Sequence, residues 1–129
     1  MNNADESKVH THDDVAKRIV LHHLSAFQNN DLTALMSDYT AESVFITQDA
    51  TYTGRLEIEA FLGGLMAHFP KQLSTINLDK MVVDDHLAYI VWHAKTPSLE
   101  VILGSDTLVI RGGKIHQQTF AGLLKFLEA

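Results

Sequence analysis

The 129-residue chain contains no cysteine. That excludes a disulfide framework, a thiol nucleophile and a thiolate metal site. Positive charge is also scarce. Ten Lys and Arg stand against sixteen Asp and Glu, a formal net charge of −6, and the basic residues form no cluster. The electrostatic footprint of a nucleic-acid partner is therefore missing. No run is apolar enough to span a bilayer, and Met1-Asn2-Asn3-Ala4-Asp5-Glu6 lacks the form of a signal peptide. Neither nucleic acid nor a membrane is an expected partner, and a cytoplasmic setting is expected. Low-complexity segments, internal repeats and long linkers are absent too. What remains fits a single domain over residues 11–129 behind a disordered tail over 1–10. Such a chain buries roughly two-thirds of its unfolded surface.

Periodicity divides that domain into helices followed by strands. Thr11-His12-Asp13-Asp14 has the form of a helix start, a capping hydroxyl followed three residues later by an acid. Val15, Ile19, Val20, Leu24 and Phe27 then recur at helical spacing to about Asn29. A shorter helix starts at Asp31 and uses Leu32, Leu35, Met36 and Tyr39, and Ser43–Thr47 reads as a short strand. A third helix begins near Gly54, buries Ile58, Phe61, Leu62, Leu65 and Phe69, and stops before Pro70. Beyond it the period changes to two. Long strands are expected near 72–84, 86–96, 98–111 and 114–122, joined by Asp84-Asp85, Thr96-Pro97 and Gly112-Gly113. Helices first and an antiparallel meander last predict an α+β fold, with three helices covering one face of a curved sheet. The concave apolar face of that sheet is a natural small-molecule pocket.

Two residues stand out against this pattern. Asp106 is a carboxylate among Leu103, Leu108, Val109 and Ile110 on an expected strand. Aspartate is disfavoured in strands, and a buried one is costly unless it is paired or neutral. Facing a cavity, it becomes a candidate acid or hydrogen-bond donor. At about 100° per residue, His23 falls near the centre of the apolar arc of the first helix, and His22 at its rim. His23 is either a core histidine bonded to a carbonyl or a pocket donor or base.

Other residues are candidates for binding a ligand. Tyr39 falls on the inner face of its expected helix, while Asp38 turns away from it and is expected in solvent. Trp92 and His93 point to opposite sides of their strand, and Trp92 shares its parity with Ala88, Ile90 and Ala94. His116, Gln118 and Phe120 share one face of the last strand. His10 and His12 resemble a metal pair but lie at the tail with no acid-histidine helix motif, so no metal is expected. Gly63-Gly64 lies inside a helix and is not a phosphate loop. Gly104-Ser105-Asp106 lacks the flanks of a nucleophile elbow.

The order of these elements, with Ala26-Phe27 through Asp31-Leu32, Tyr52-x-Gly54, Ile58-x-x-Phe61, Gly104-x-Asp106 and Gly113-Lys114-Ile115, resembles the nuclear transport factor 2-like superfamily over roughly residues 12–122. The resemblance is to its SnoaL-like and ketosteroid-isomerase-like branch. It implies a cone-shaped α+β barrel, no cofactor and a homodimer. It also implies that Asp106 stands where the isomerases place a protonated Asp that donates to a developing oxyanion, and His23 where they place its tyrosine partner. Their catalytic base would fall near Ile46 or Thr47, where this chain has no carboxylate. Two functional readings follow. One is a cofactor-free isomerase, dehydratase or cyclase acting on a small apolar oxygenated metabolite; the other is a non-catalytic ligand-binding or homodimerisation module. Fold resemblance alone does not choose between them.

Overall fold

Three helices precede and interrupt a six-stranded sheet. In chain order the elements are α1 (Asn3–Gln28), α2 (Leu32–Met36), β1 (Tyr39–Thr47), β2 (Thr51–Thr53), α3 (Arg55–Met66), β3 (Thr75–Asp84), β4 (Leu87–Lys95), β5 (Leu99–Arg111) and β6 (Lys114–Phe126). The computed structural model describes residues 3–127, with side chains from residue 12 onward. α1 runs upstream of the start expected at Thr11. The tail expected over residues 1–10 lies outside the residues whose side chains are described.

The strands lie in the order β2-β1-β6-β5-β4-β3. β3 to β6 form the expected antiparallel meander, whereas β1 joins β6 in parallel. Register shifts interrupt four of the five ladders. Each such bulge bends its strand and increases the local twist, so the sheet curls into an open cone with β2 and β3 as its edges. The helices close the concave side.

Local chemistry fixes how they do so. Asp31 caps α2 by accepting the Ala34 amide at 3.0 Å. Asn30, in the left-handed region at φ 54°, donates to the carbonyls of Met66 and Phe69 at 2.9 and 2.7 Å. It thereby ties the α1–α2 link to the end of α3. Gln28, the last residue of α1, brackets the start of edge strand β3. It donates to the Ser74 carbonyl at 2.9 Å and accepts the Ile76 amide at 3.1 Å.

Several elements differ from their sequence reading. α2 stops after five residues, and Tyr39 opens β1, pairing with Ile115 of β6. Strand pairing and the β preference of an aromatic residue override the short helical repeat. Asp38 is therefore at a helix–strand junction, not on an outer helix face. It is buried, with its carboxylate turned towards α1. α3 ends at Met66, leaving Phe69 in the following turn, where it still packs edge-on against Phe27 at 4.8 Å between ring centres.

Candidate functional site

A cavity lies between the helices and the concave face of the sheet. Its wall includes His23 and Phe27 of α1, Asp106 of β5, Trp92 of β4, and Gln118 and Phe120 of β6. Leu24, Phe61, Leu65 and Ile76 also line it and keep partial exposure, marking the mouth between α1, α3 and β3. The free space is about 40 Å³. That holds a few waters and is far below the roughly 300–1,000 Å³ of a pocket for a drug-sized ligand. Anything larger enters only if side chains at the mouth swing aside.

Sheet register builds the polar floor. Directly opposite Asp106 stand Ile90 on β4 and Phe120 on β6. Trp92 lies two residues after Ile90 and Gln118 two before Phe120, which makes both diagonal neighbours of Asp106 within reach of a long side chain. The Trp92 indole Nε1–H donates to Asp106 Oδ1 at 2.7 Å, and Gln118 Nε2 donates to Asp106 Oδ2 at 2.8 Å. Gln118 is itself oriented by Tyr39, whose hydroxyl donates to Gln118 Oε1 at 2.5 Å. All four residues are buried. Because Tyr39 occupies the amide oxygen, the amide nitrogen is the end that faces Asp106.

Gly104 makes the indole geometry possible. It pairs directly with Trp92, and a Cβ there would stand 2.6 Å from the indole Cε2 and 2.9 Å from Nε1. Only a residue without a side chain lets the ring lie flat across β5 and reach Asp106. The Gly104-x-Asp106 pattern thus couples a packing need to a polar one.

Burial raises the pKa of Asp106 above its ordinary value. The two N–H donors, and more weakly the nearby His23 imidazole, pull the other way, since each favours the ionised form. Tyr39 is pushed well up by burial and by the nearby carboxylates of Asp106 and Asp38, so its hydroxyl stays protonated and donates.

His23 faces the same cavity. Its Nδ1 is buried without a hydrogen-bond partner, 3.8 Å from Asp38 Oδ2. Asp38 already accepts a closer bond from the half-exposed His22, at 2.9 Å to Nδ1. The result is a chain from solvent inward: His22, then buried Asp38, then His23. Asp38 went unrecognised in the sequence because its position was counted on a helix that ends before it. A carboxylate sixteen residues after a His-His pair offers no local signal of contact.

Of the other expected site residues, Trp92, Gln118 and Phe120 are in the wall, with the Trp92 and Phe120 rings 5.8 Å apart. Tyr39 stands behind it, touching the site through Gln118. His116 is not in the wall. Ile110 pairs with Ile115 and Val109 with Gln117, so His116 is the extra residue of a bulge and the alternation restarts beyond it. His93 points outwards and bonds Asp79 at 2.8 Å.

A curved sheet capped by three helices, with an acid and an imidazole inside an apolar cone, defines an α+β cone fold with an internal polar pair. The SnoaL-like domain model matches residues 20–118, and the chain belongs to that family. Solved structures agree on the fold. A protein from Kribbella flavida superposes with a TM-score of 0.74 at 15% identity, covering 84% of this chain and 87% of its own. A ketosteroid isomerase candidate from the same organism gives 0.69 at 11% identity, covering 90% and 80%. A SnoaL-like polyketide cyclase candidate from Shewanella denitrificans gives 0.68 at 19% identity, covering 84% and 90%. No sequence among the curated proteins matches. Identities this low establish the fold and leave chemistry to the site.

Proposed function

We propose that the cavity binds a small oxygenated metabolite and moves a proton on it without a cofactor, with Asp106 as acid or oxyanion donor and His23 as base. The observation that carries this reading is the placement of a buried carboxyl from β5 and an imidazole from α1 in the lining of one apolar cavity. His23 takes a proton from the carbon next to a carbonyl, and the electron pair moves to the carbonyl oxygen. Protonated Asp106 donates to that oxygen as charge develops. Asp38 stands 3.8 Å from His23 Nδ1 and favours the imidazolium that forms. Return of the proton from the imidazolium to another carbon is isomerisation; its transfer to a β-hydroxyl, which leaves as water while the carbonyl re-forms and the Cα–Cβ double bond closes, is dehydration. The names of the Kribbella and Shewanella relatives agree with chemistry of this class. The small cavity favours a substrate of few heavy atoms.

The test is proton exchange. Small enolisable ketones are incubated with the protein in D₂O, and loss of the α-carbon proton signal is followed by NMR. Positioned acid–base groups contribute about 10²–10⁴-fold each, so Asp106→Ala should lose at least the lower figure. Asp106→Asn should keep binding while losing exchange, and His23→Phe should also weaken binding. Full exchange by Asp106→Ala ends the mechanism. Exchange at the buffer rate across the ketone panel leaves the second reading, a non-catalytic module.

That second reading has its own support on the convex face of the sheet. Tyr89, Leu103 and Leu123 lie exposed there, an apolar surface suited to a second copy of the chain. A homodimer through this face should appear in sedimentation at micromolar concentration and dissociate on Leu103→Asp. A monomer at all concentrations refutes it.

A further inference from the structure

Outside the cavity, α1 meets the β3–β4 turn through three potential metal ligands. His12, Asp85 and His86 each present a ligand atom, and these atoms all lie within 4.8 Å of one another. His12 Nδ1 is 2.8 Å from Asp85 Oδ1, and His86 Nε2 is 3.8 Å from Asp85 Oδ2. The two imidazole rings sit side by side with centres 4.2 Å apart.

Two features make this more than a chance surface cluster. His86 Nδ1 is 3.0 Å from the Ile110 carbonyl oxygen, which can only accept, so Nδ1 carries a proton and Nε2, on the side of Asp85, is the nitrogen left to ligate a metal. A ring nitrogen held by a backbone carbonyl is the usual outer support of a metal-binding histidine, fixing its tautomer and orientation. The turn is held as well. Asp13 Oδ1 accepts the Asp85 amide at 2.9 Å, and Ile110 donates its amide to the His86 carbonyl at 2.8 Å.

We propose that His12, Asp85 and His86 bind one divalent transition-metal ion of the zinc type, clamping α1 to the β3–β4 turn. Two imidazoles and one carboxylate suit Zn²⁺, Ni²⁺ or Cu²⁺ and not Mg²⁺ or Ca²⁺, which take oxygen ligands. Metal bonds of about 2.0–2.2 Å place ligand atoms roughly 3–3.5 Å apart, so the three side chains need only draw together slightly. Water completes the coordination at this exposed site. The clamp joins residues 73 positions apart in sequence.

Titration calorimetry of the untagged protein with ZnCl₂, and with Mg²⁺ as comparison, tests this. One saturable Zn²⁺ site per chain is expected, with none for Mg²⁺, together with a rise in melting temperature that a chelator reverses. His86→Ala and, separately, His12→Ala should weaken binding by more than the roughly 10–100-fold typical of losing an outer-shell partner. His93→Ala should change nothing. Its ring also bonds a surface carboxylate, Asp79, so it reports whether any exposed His–Asp pair suffices. Circular dichroism verifies that each variant folds, and the exposed position of His12 keeps that variant informative if His86→Ala does not. Absence of saturable Zn²⁺ binding, its survival in both ligand variants, or an equal loss in His93→Ala overturns the proposal.

Discussion

Replacing Gly104 by alanine adds one methyl group and should disturb both stability and the polar floor. The new Cβ would stand 2.6 to 3.0 Å from three atoms in the middle of the Trp92 indole. The indole is rigid, so it cannot bend away as the tip of a flexible chain could. It must rotate, and the free space beside it is about 40 Å³. Overpacking of this kind costs typically 1–3 kcal/mol. Rotation also breaks the 2.7 Å bond from Nε1 to Asp106, and a hydrogen bond to a neutral carboxyl contributes about 0.5–1.5 kcal/mol. The combined loss is therefore about 1.5–4.5 kcal/mol, a large share of the roughly 5–15 kcal/mol that holds a domain together. Urea denaturation measures the loss. Trp92 is the single tryptophan, so its fluorescence reads the ring's surroundings without interference. Wild-type stability together with an unchanged emission spectrum in Gly104→Ala would refute the packing argument.

Three further outcomes follow from the geometry. The raised pKa of Asp106 means the folded state holds that proton more tightly than the unfolded state. Its contribution to stability is full below the unfolded value of about 3.9 and is lost as pH rises through the folded value. Asp106→Asn removes the titration, so the variant's stability relative to wild type should climb with pH above about 4; a flat difference in urea unfolding counts against the buried carboxyl. Tyr39→Phe deletes the donor that fixes Gln118 and leaves a buried amide oxygen unpaired, which should cost about 1–3 kcal/mol without emptying the cavity wall. A melting temperature equal to wild type would contradict that. Gly64 lies exposed inside α3, where an added Cβ meets nothing within 4 Å, so Gly64→Ala should stabilise by up to about 1 kcal/mol through helix propensity alone, and destabilisation would mean an unseen contact.

The fold was legible because its signals are local and repeated. The change from helical to alternating period after Pro70, the Gly112-Gly113 turn and the Asp31 cap each depend on a few adjacent residues. Asp106 and His23 stood out for a related reason, as polar residues at positions where the local period demands apolar ones. His116 shows where that logic stops. Its bulge comes from the pairing of two strands and shifts parity by one residue, a change no single-strand pattern records. Tyr39 and Asp38 show a second limit. A five-residue helix carries too few turns for its period to be extrapolated, and a strand partner 76 residues away, Ile115, decided the matter.

The polar floor carries the deeper lesson. Asp106 is tolerated because Trp92 and Gln118 reach it diagonally, Trp92 reaches it because Gly104 is bare, and Gln118 presents its nitrogen because Tyr39 holds its oxygen. Every link crosses strands, so no segment contains the arrangement. Yet each member has one reason to be its own residue type, and the reasons interlock. An indole N–H and an amide N–H are both donors only, so they hold the carboxyl in place and favour its ionised form. Burial meanwhile favours the neutral acid. A carboxyl fixed in position but left free to gain or lose a proton is what proton transfer needs. A purely structural aspartate would gain from a cation in direct contact, and Asp106 has none among the described residues: its hydrogen-bond partners are neutral, and the His23 imidazole lines the same cavity without bonding it.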